Sequence, residues 1–333
     1  MGKTVFVLGA GASKDFGNNM PIGEELAATI DDMLIKEFAD ASMHSDGLVK
    51  DAFRRGTGLY REHRAAAIQI GKSLHSKSSI DELIDEWSDF PEFSNVAKHA
   101  IAAALLTAEF RSNLCHSIHD EVAWASAFRP MRDSWASWLF RNVGGQGVQR
   151  RHAFQAFSDV AFVTFNYDRC LEQFLLANFM HTCNLHQDVA LAALNNVEIH
   201  HAYGRLGPLS SDGTLFTVPY GSTDPYHIHK AATQIKTFTE EVESGAAQRI
   251  RNTIFHAGRL IFLGFGFHNR NLDLLFGNNC NCPDIPVFGT SSILETRAWT
   301  QPAARFETAS RQFWRKMIAS EFMRTDGEDV LFG

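Results

Sequence analysis

Cysteine is scarce in this chain of 333 residues, basic charge is not in excess, and no apolar run is long. Each shortage excludes a class of protein. The five cysteines, Cys115, Cys170, Cys183, Cys280 and Cys282, are odd in number and scattered, which argues against a disulfide framework and fits a reducing compartment. No segment approaches the roughly 18 apolar residues of a membrane span. The opening MGKTVFVLGAGASKD interrupts its apolar run with glycines and then Lys14-Asp15, so no secretory leader is expected and a cytoplasmic location is. A formal net charge of −7 excludes binding nucleic acid through bulk charge. Arg54-Arg55 and Arg150-Arg151 are only local basic pairs, and no direct nucleic-acid binding is expected. Metal-site spacing is lacking as well. Cys280-Asn281-Cys282 and His227-Ile228-His229 have no second pair, Cys115 and His119 have no completing ligand, and no metal is expected. There is no internal repeat and no low-complexity tract.

Against these absences stand two kinds of pattern. Residues 4–8, TVFVL, read as a strand running directly into Gly9-Ala10-Gly11-Ala12-Ser13. From EELAATIDDMLIKEF, with Leu26, Ile30, Met33 and Leu34 on one face, to about residue 143 the pattern is helical. Ser79 and Glu82 frame a capping box, AKHAIAAALLTAEF is rich in strong helix formers, and the helix from Trp135 to Val143 meets Gly144-Gly145 as a C-cap and hinge. After the linker GGQGVQRR, short apolar runs recur at 160–165, 197–203, 215–219, 259–264 and 285–289. Such runs with helices between them predict an α/β fold, a Rossmann-like parallel sheet covered by helices on both faces. The large helical block is then an insertion. Residues 1–24 and 150–333 form the Rossmann-like domain, and 25–149 the inserted helical module. Residues after 300, QPAARFETASRQFWRKMIASEF, read as one terminal amphipathic helix. Trp87, Trp124, Trp135 and Trp138 are either core or assembly surface.

The chemistry-bearing residues cluster at expected strand ends, where parallel sheets bind ligands. GAGAS allows close approach of a phosphate to the backbone, although the third glycine of G-x-G-x-x-G is replaced by Lys14 and no P-loop lysine follows. TFNYD ends the second strand. Asn166 there offers a donor and an acceptor, and Asp168 is a helix cap. HHAYGRLG places His200, His201 and Tyr203 at another end. Adjacent histidines in a strand face opposite sides, so at most one of the pair faces the site. FLGFGFHNRN and FGTSS supply Gly264, Gly266, Asn269, Gly289 and Thr290.

GAGAS with Pro21 downstream, TFNYD, a His-x-x-Gly segment and GFGF before a helix occur in the order found in sirtuin-like domains. More closely, the chain resembles the bacterial sirtuin-like NAD-consuming domains of anti-phage defence systems, such as the Thoeris effector and the proteins paired with HerA-family ATPases. SIDELI at 79–84 is similar to a segment found there. The resemblance implies NAD as substrate, hydrolysed to ADP-ribose and nicotinamide. It implies that Gly9, Ala10, Gly11, Ala12 and Ser13 hold phosphates and ribose, with Pro21, Thr164, Asp168, Tyr203, Gly264, Gly266, Asn269, Gly289 and Thr290 also around NAD. Asn166 matches the family's catalytic asparagine. The family's histidine directly precedes a glycine; here Tyr203 fills that place. Either His201, two residues earlier on the same strand face, serves as the base, or the base is displaced. Two rival functions follow: a sensor or scaffold subunit that binds NAD or ADP-ribose, and an NAD-dependent protein deacylase. The absence of paired Cys-x-x-Cys zinc sets weakens the deacylase. A toxic NADase needs control, for which a homo-oligomer or a HerA-type ATPase partner is expected.

Overall fold

In the computed structural model the apolar runs assemble into one parallel sheet. The structure describes residues 2–16, 20–40, 45–74, 80–87, 89–115, 121–143, 147–209, 217–236, 240 and 245–332. The strands are β1 (Lys3–Leu8), β2 (Val160–Thr164), β3 (Glu198–His201), β4 (Ala257–Leu263), β5 (Pro286–Thr290) and β6 (Arg311–Arg315), in the spatial order β3-β2-β1-β4-β5-β6. Every pairing is parallel, with Val5 opposite both Ala161 and Leu260. Val5, Phe6, Val7, Ala161, Phe162, Val163, Leu260, Ile261 and Phe262 are all fully buried, as central strands covered on both faces must be. The chain order reverses direction at β1, with β2 on one side and β4 on the other. That makes the gap beyond their carboxyl ends the topological switch point of a Rossmann-like sheet.

The one-turn helix α1 (Ala10–Lys14) follows β1, and the chain then leaves the sheet through α2 (Gly23–Phe38), α3 (Leu48–Arg55), α4 (Arg61–Leu74), α5 (Ile80–Glu86), α6 (Pro91–Arg111), α7 (Glu121–Phe128) and α8 (Trp135–Asn142). It returns as β2. α9 (Cys170–His181) and α10 (Gln187–Asn195) precede β3, α11 (Pro225–Ala232) and α12 (Ala246–Phe255) precede β4, and α13 (Asn269–Phe276) links β4 to β5. α14 (Thr300–Ala304) leads to β6, and α15 (Ala319–Thr325) and α16 (Gly327–Phe332) follow it. α2 buries Leu26, Ile30, Leu34 and Phe38, while Met33 packs at its margin. α6 begins with Pro91 at its first turn and buries Ala, Ile and Leu nearly all round, so it forms the axis of the helical block. Ser79 and Gly144-Gly145 lie outside the described residues. Trp135 is fully buried and Trp138 almost so, while Trp87 stacks on Phe93 at 4.7 Å and Trp124 on His181 at 5.0 Å.

Two expectations need correction. Residues 217–219 form no strand, and 215–216 lie outside the described residues. The expected terminal helix is broken: Arg311–Arg315 is a strand pairing with β5. The cause is tertiary. Trp314 is drawn into a cluster with Phe262, Phe267, Trp299 and Phe306, at ring distances of 5.0–5.8 Å, and Phe313 turns the other way towards Phe322. Opposite-facing aromatics at adjacent positions require a strand, not a helix.

Two polar clusters are prominent among the contacts that join the helical block to the rest of the chain. Arg169 and Glu109 are fully buried; Arg169 Nε donates to Glu109 Oε1 at 3.1 Å, and the same guanidinium reaches the carbonyls of Gly207, Val218 and Pro219. Glu109 also accepts from the backbone N–H of Arg169 at 3.1 Å and of Gly221 at 3.0 Å. The second contact is a histidine staple. Phe53 of α3 is sandwiched between His63 and His99 at 4.1 and 4.0 Å. His99 Nδ1 lies 2.7 Å from the Asn95 carbonyl, so it is the protonated nitrogen, and Nε2 accepts from His229 Nδ1 of α11 at 3.0 Å. The bond requires the accepting His99 ring to be neutral. Burial pushes His99 down to about 4 and also lowers His63 and His229.

Replacing Arg169 with Met leaves the Glu109 carboxylate buried and unpaired, and urea unfolding should show a loss of about 3–5 kcal/mol. A loss below about 1 kcal/mol would mean that the pair does not hold the helical block. The staple sets a pH dependence. A neutral histidine with a depressed folded value contributes stability present above the ordinary 6.5 and lost as pH falls through about 4. His99→Phe, which keeps the ring stack, should flatten the stability profile between those two values; an unchanged profile would assign the acid sensitivity elsewhere.

Candidate functional site

The glycines after β1 and β4 are there because two loops cross backbone to backbone. Gly9 N donates to the Leu263 carbonyl and Gly11 N to the Gly264 carbonyl, each at 3.1 Å. A Cβ on Gly9 would lie 2.4 Å from the Gly264 oxygen, and one on Gly264 would lie 2.2 Å from the Ala12 nitrogen. Gly264 also has a φ of +57°, the left-handed region that glycine tolerates. Three residues on, Phe267 has a φ of +55° without being glycine, held by edge contacts to Phe265 and Trp299 at 5.0 Å and Trp314 at 5.4 Å. The loop after β4 thus keeps its shape because the aromatic cluster under it fills the space a relaxed backbone would need.

Over this crossing opens a cavity of about 830 Å³. Of the residues singled out in the sequence, it is lined by Gly9, Ala10, Gly11, Asn166, Tyr203, Gly264, Gly266, Asn269 and Thr290. Ala12 and Ser13 are buried behind the first glycine turn, Thr164 and Asp168 behind Asn166, and Pro21, His201 and Gly289 are also outside the wall. Sequence reasoning missed Ile22 to Glu24, Phe165, Arg270, Asn271, and Met317 to Ala319, all of which line it. Arg270 and Asn271 sit in the stretch after GFGF and were within reach of a reading that followed the helix start. The segment 317–319 was hidden by the expectation of a continuous terminal helix.

Four helices point their N-termini at this cavity: α1, α2, α13 and α15. Two are occupied. Glu25 Oε2 accepts from Ile22 N at 3.0 Å at the start of α2, and the Asp15 carboxylate accepts from Ser320 N in α15. Burial pushes Asp15 up, opposed by those Ser320 bonds. α1 and α13, which follow the glycine turns, have no side-chain cap. In α1 the N–H groups of Gly11 and Ala12 already donate to the Gly264 and Gly9 carbonyls, so what the two helix ends offer on either side of the switch point is their positive dipole, which favours an anion there.

Asn166 is held in one orientation by a knot of buried polar groups. Its Nδ2 donates to the Gly9 carbonyl and to Ser13 Oγ, both at 2.9 Å. A carbonyl can only accept, so the amide cannot be flipped, and Oδ1 is the atom left for the cavity. Ser13 Oγ donates onward to Asp168 Oδ1 at 2.9 Å, which also accepts from Cys170 N at 3.0 Å and so opens α9. Burial pushes the Asp168 carboxyl up.

His201 lies behind this knot. Its Nδ1 is 3.2 Å from the backbone carbonyl of Asn166, and its Nε2 is 2.8 Å from Glu172 Oε1. Both partners are acceptors, so only a ring protonated on both nitrogens satisfies them, and neither nitrogen offers a lone pair to the cavity. Burial alone would raise Glu172, but the His201 charge and hydrogen bond, with Arg205, bring it down to about 2. His200 faces the other way, 2.8 Å from Glu198 and 3.1 Å from Thr253. Tyr203 takes the wall position, its hydroxyl donating to Asn271 Oδ1 at 2.6 Å and its ring edge-on to Phe165.

Among the described residues no group of three or more histidine, cysteine, aspartate or glutamate side chains could hold a metal ion, and no helix is long and apolar enough to cross a membrane. Compared with known proteins, the chain matches no family model and no curated sequence.

The loop crossing predicts a sharp cost for one methyl group. Gly264→Ala should lower stability by at least about 1–3 kcal/mol, from the φ alone, in urea unfolding. The neighbouring Gly266→Ala, which meets only the His268 ring tip at 3.0 Å, should cost less. Equal costs would show that the crossing is not the constraint.

Proposed function

We propose that the chain is an NAD glycohydrolase, cleaving NAD to ADP-ribose and nicotinamide, and that it acts in anti-phage defence by depleting NAD. The observation that carries this reading is the locked amide of Asn166, which offers Oδ1 to the cavity beside two uncapped helix N-termini. The N-termini suit the pyrophosphate of a dinucleotide at the switch point. Oδ1 suits a hydroxyl of the nicotinamide ribose or a water below it. As the glycosidic bond breaks, nicotinamide leaves with the bonding pair and its ring charge is neutralised, so no strong acid is needed. The ribose becomes oxocarbenium-like, water adds at the anomeric carbon, and its proton is lost to solvent. Asn166 orients the participants. His201 is a positioning residue on this reading, holding the Asn166 backbone through its carbonyl.

The saturated ring of His201 and the Tyr203 wall also favour a second reading, an NAD- or ADP-ribose-binding sensor or scaffold. Control by self-association or by a HerA-type ATPase belongs to either reading. The deacylase reading has no such observation behind it.

The test is nicotinamide release from NAD by the purified chain without acyl peptide, alone and with the candidate ATPase. Asn166→Ala should lower release by about 10²–10³-fold. His201→Gln, which can still donate to the Asn166 carbonyl, should retain more activity than His201→Ala and leave the pH profile unshifted. Loss of an acidic limb in His201→Gln would make His201 the base. NAD bound but never cleaved would select the sensor, and neither binding nor cleavage would remove both readings.

A further inference from the structure

A second concavity, of about 450 Å³, lies away from the cleft and shares no residue with it. It is an open hollow lined by α7, the short turn at Arg129–Met131, α8 and the end of α9. Among the described residues its lining holds Arg129, Arg132 and Arg141, all three exposed, and no carboxylate. In a chain with 38 acidic and 31 basic side chains, three arginines at one hollow whose described lining has no carboxylate make a local positive patch on an acidic molecule. Arg141 Nη1 donates to the Arg132 backbone carbonyl at 2.8 Å, which ties the two segments together and leaves the Arg132 guanidinium unengaged by that bond. The guanidinium groups of Arg129 and Arg132 have no hydrogen bond or ion pair among the described residues. The floor is different: Phe128 and Phe140 supply apolar rings, and Thr182, with its hydroxyl on Asn178 Oδ1 at 3.2 Å, closes one side.

The geometry points to an anion-binding site here, for a small organic phosphate with a flat apolar body. Guanidinium groups match phosphate oxygens in charge and in hydrogen-bond geometry, and three of them at one hollow favour an anion there. A hollow of this volume is in the range of small-ligand sites, and its aromatic floor accepts a ring that a bare inorganic anion lacks. The site is independent of the NAD reading.

The experiment is calorimetric titration of the full chain with phenyl phosphate, beside inorganic phosphate, at low and physiological salt. Wild type should bind phenyl phosphate more tightly than inorganic phosphate, and Arg129→Gln with Arg132→Gln should weaken it by at least about tenfold. Thermal unfolding without ligand controls for folding: the double variant should be as stable as wild type, because both side chains are exposed. Three results would overturn the proposal. One is no binding by wild type at about 10 mM, weaker than any useful small-ligand affinity. Another is unchanged binding in a folded double variant, which would locate the phosphate in the cleft. The last is displacement of phenyl phosphate by a duplex of about 20 base pairs, which would mark an electrostatic nucleic-acid surface instead.

Discussion

The architecture hangs on one buried ion pair. Arg169 follows Asp168 at the start of α9, and Glu109 closes the last turns of α6. Taking both out of water is costly, and the pair is tolerable only because nearly every donor and acceptor is matched. Arg169 spreads its donors over Glu109 and three backbone carbonyls, and Glu109 takes two backbone N–H groups in return. The joined pieces are the helical block, the corner after β2, and the segments around 207 and 218–221. The residue that fixes the helical block is therefore three positions from Asn166. The cleft wall and the anchoring of the block are one piece of packing.

Much of the sheet is legible in sequence because central parallel strands leave a plain trace, namely short, β-branched and aromatic runs ending in glycine or small polar residues. VFVL, VAFVT and RLIFL each leave that trace, and so does the switch-point cavity between their ends. β6 leaves none. RQFWR is an edge strand with a charge at each end, set in a stretch whose apolar spacing also suits a helix, and only the aromatic cluster around Trp314 decides between them.

At the site the line between legible and hidden follows distance along the chain. The residue types at the strand ends are visible in sequence, since a backbone crossing demands glycine and a polar corner demands Asn or Asp. Which atom of Asn166 faces the cavity is not, because it depends on Gly9 and Ser13, more than 150 positions away. The fate of His201 is hidden for the same reason. Its position at a strand end invites a catalytic reading, and only Glu172, on a helix 29 positions earlier, engages the nitrogen that a base would need.

The placement of β1 carries a consequence for how the chain comes to be. Of the six strands, ribosomes deliver one of the two central ones before the other five. Its partners are far behind it: Thr4 pairs with Val160 and with Arg259. Throughout synthesis of the whole helical block, an apolar VFVL strand waits with both of its hydrogen-bonding edges open. Such an edge is the kind of surface on which nascent chains associate wrongly or recruit chaperones. The helices that follow can settle locally, but the sheet cannot begin until β2 emerges, and the cleft has no far wall until Met317 to Ala319 have been made. A ribosome-bound fragment, however well its helices have formed, presents a sticky strand and no binding site.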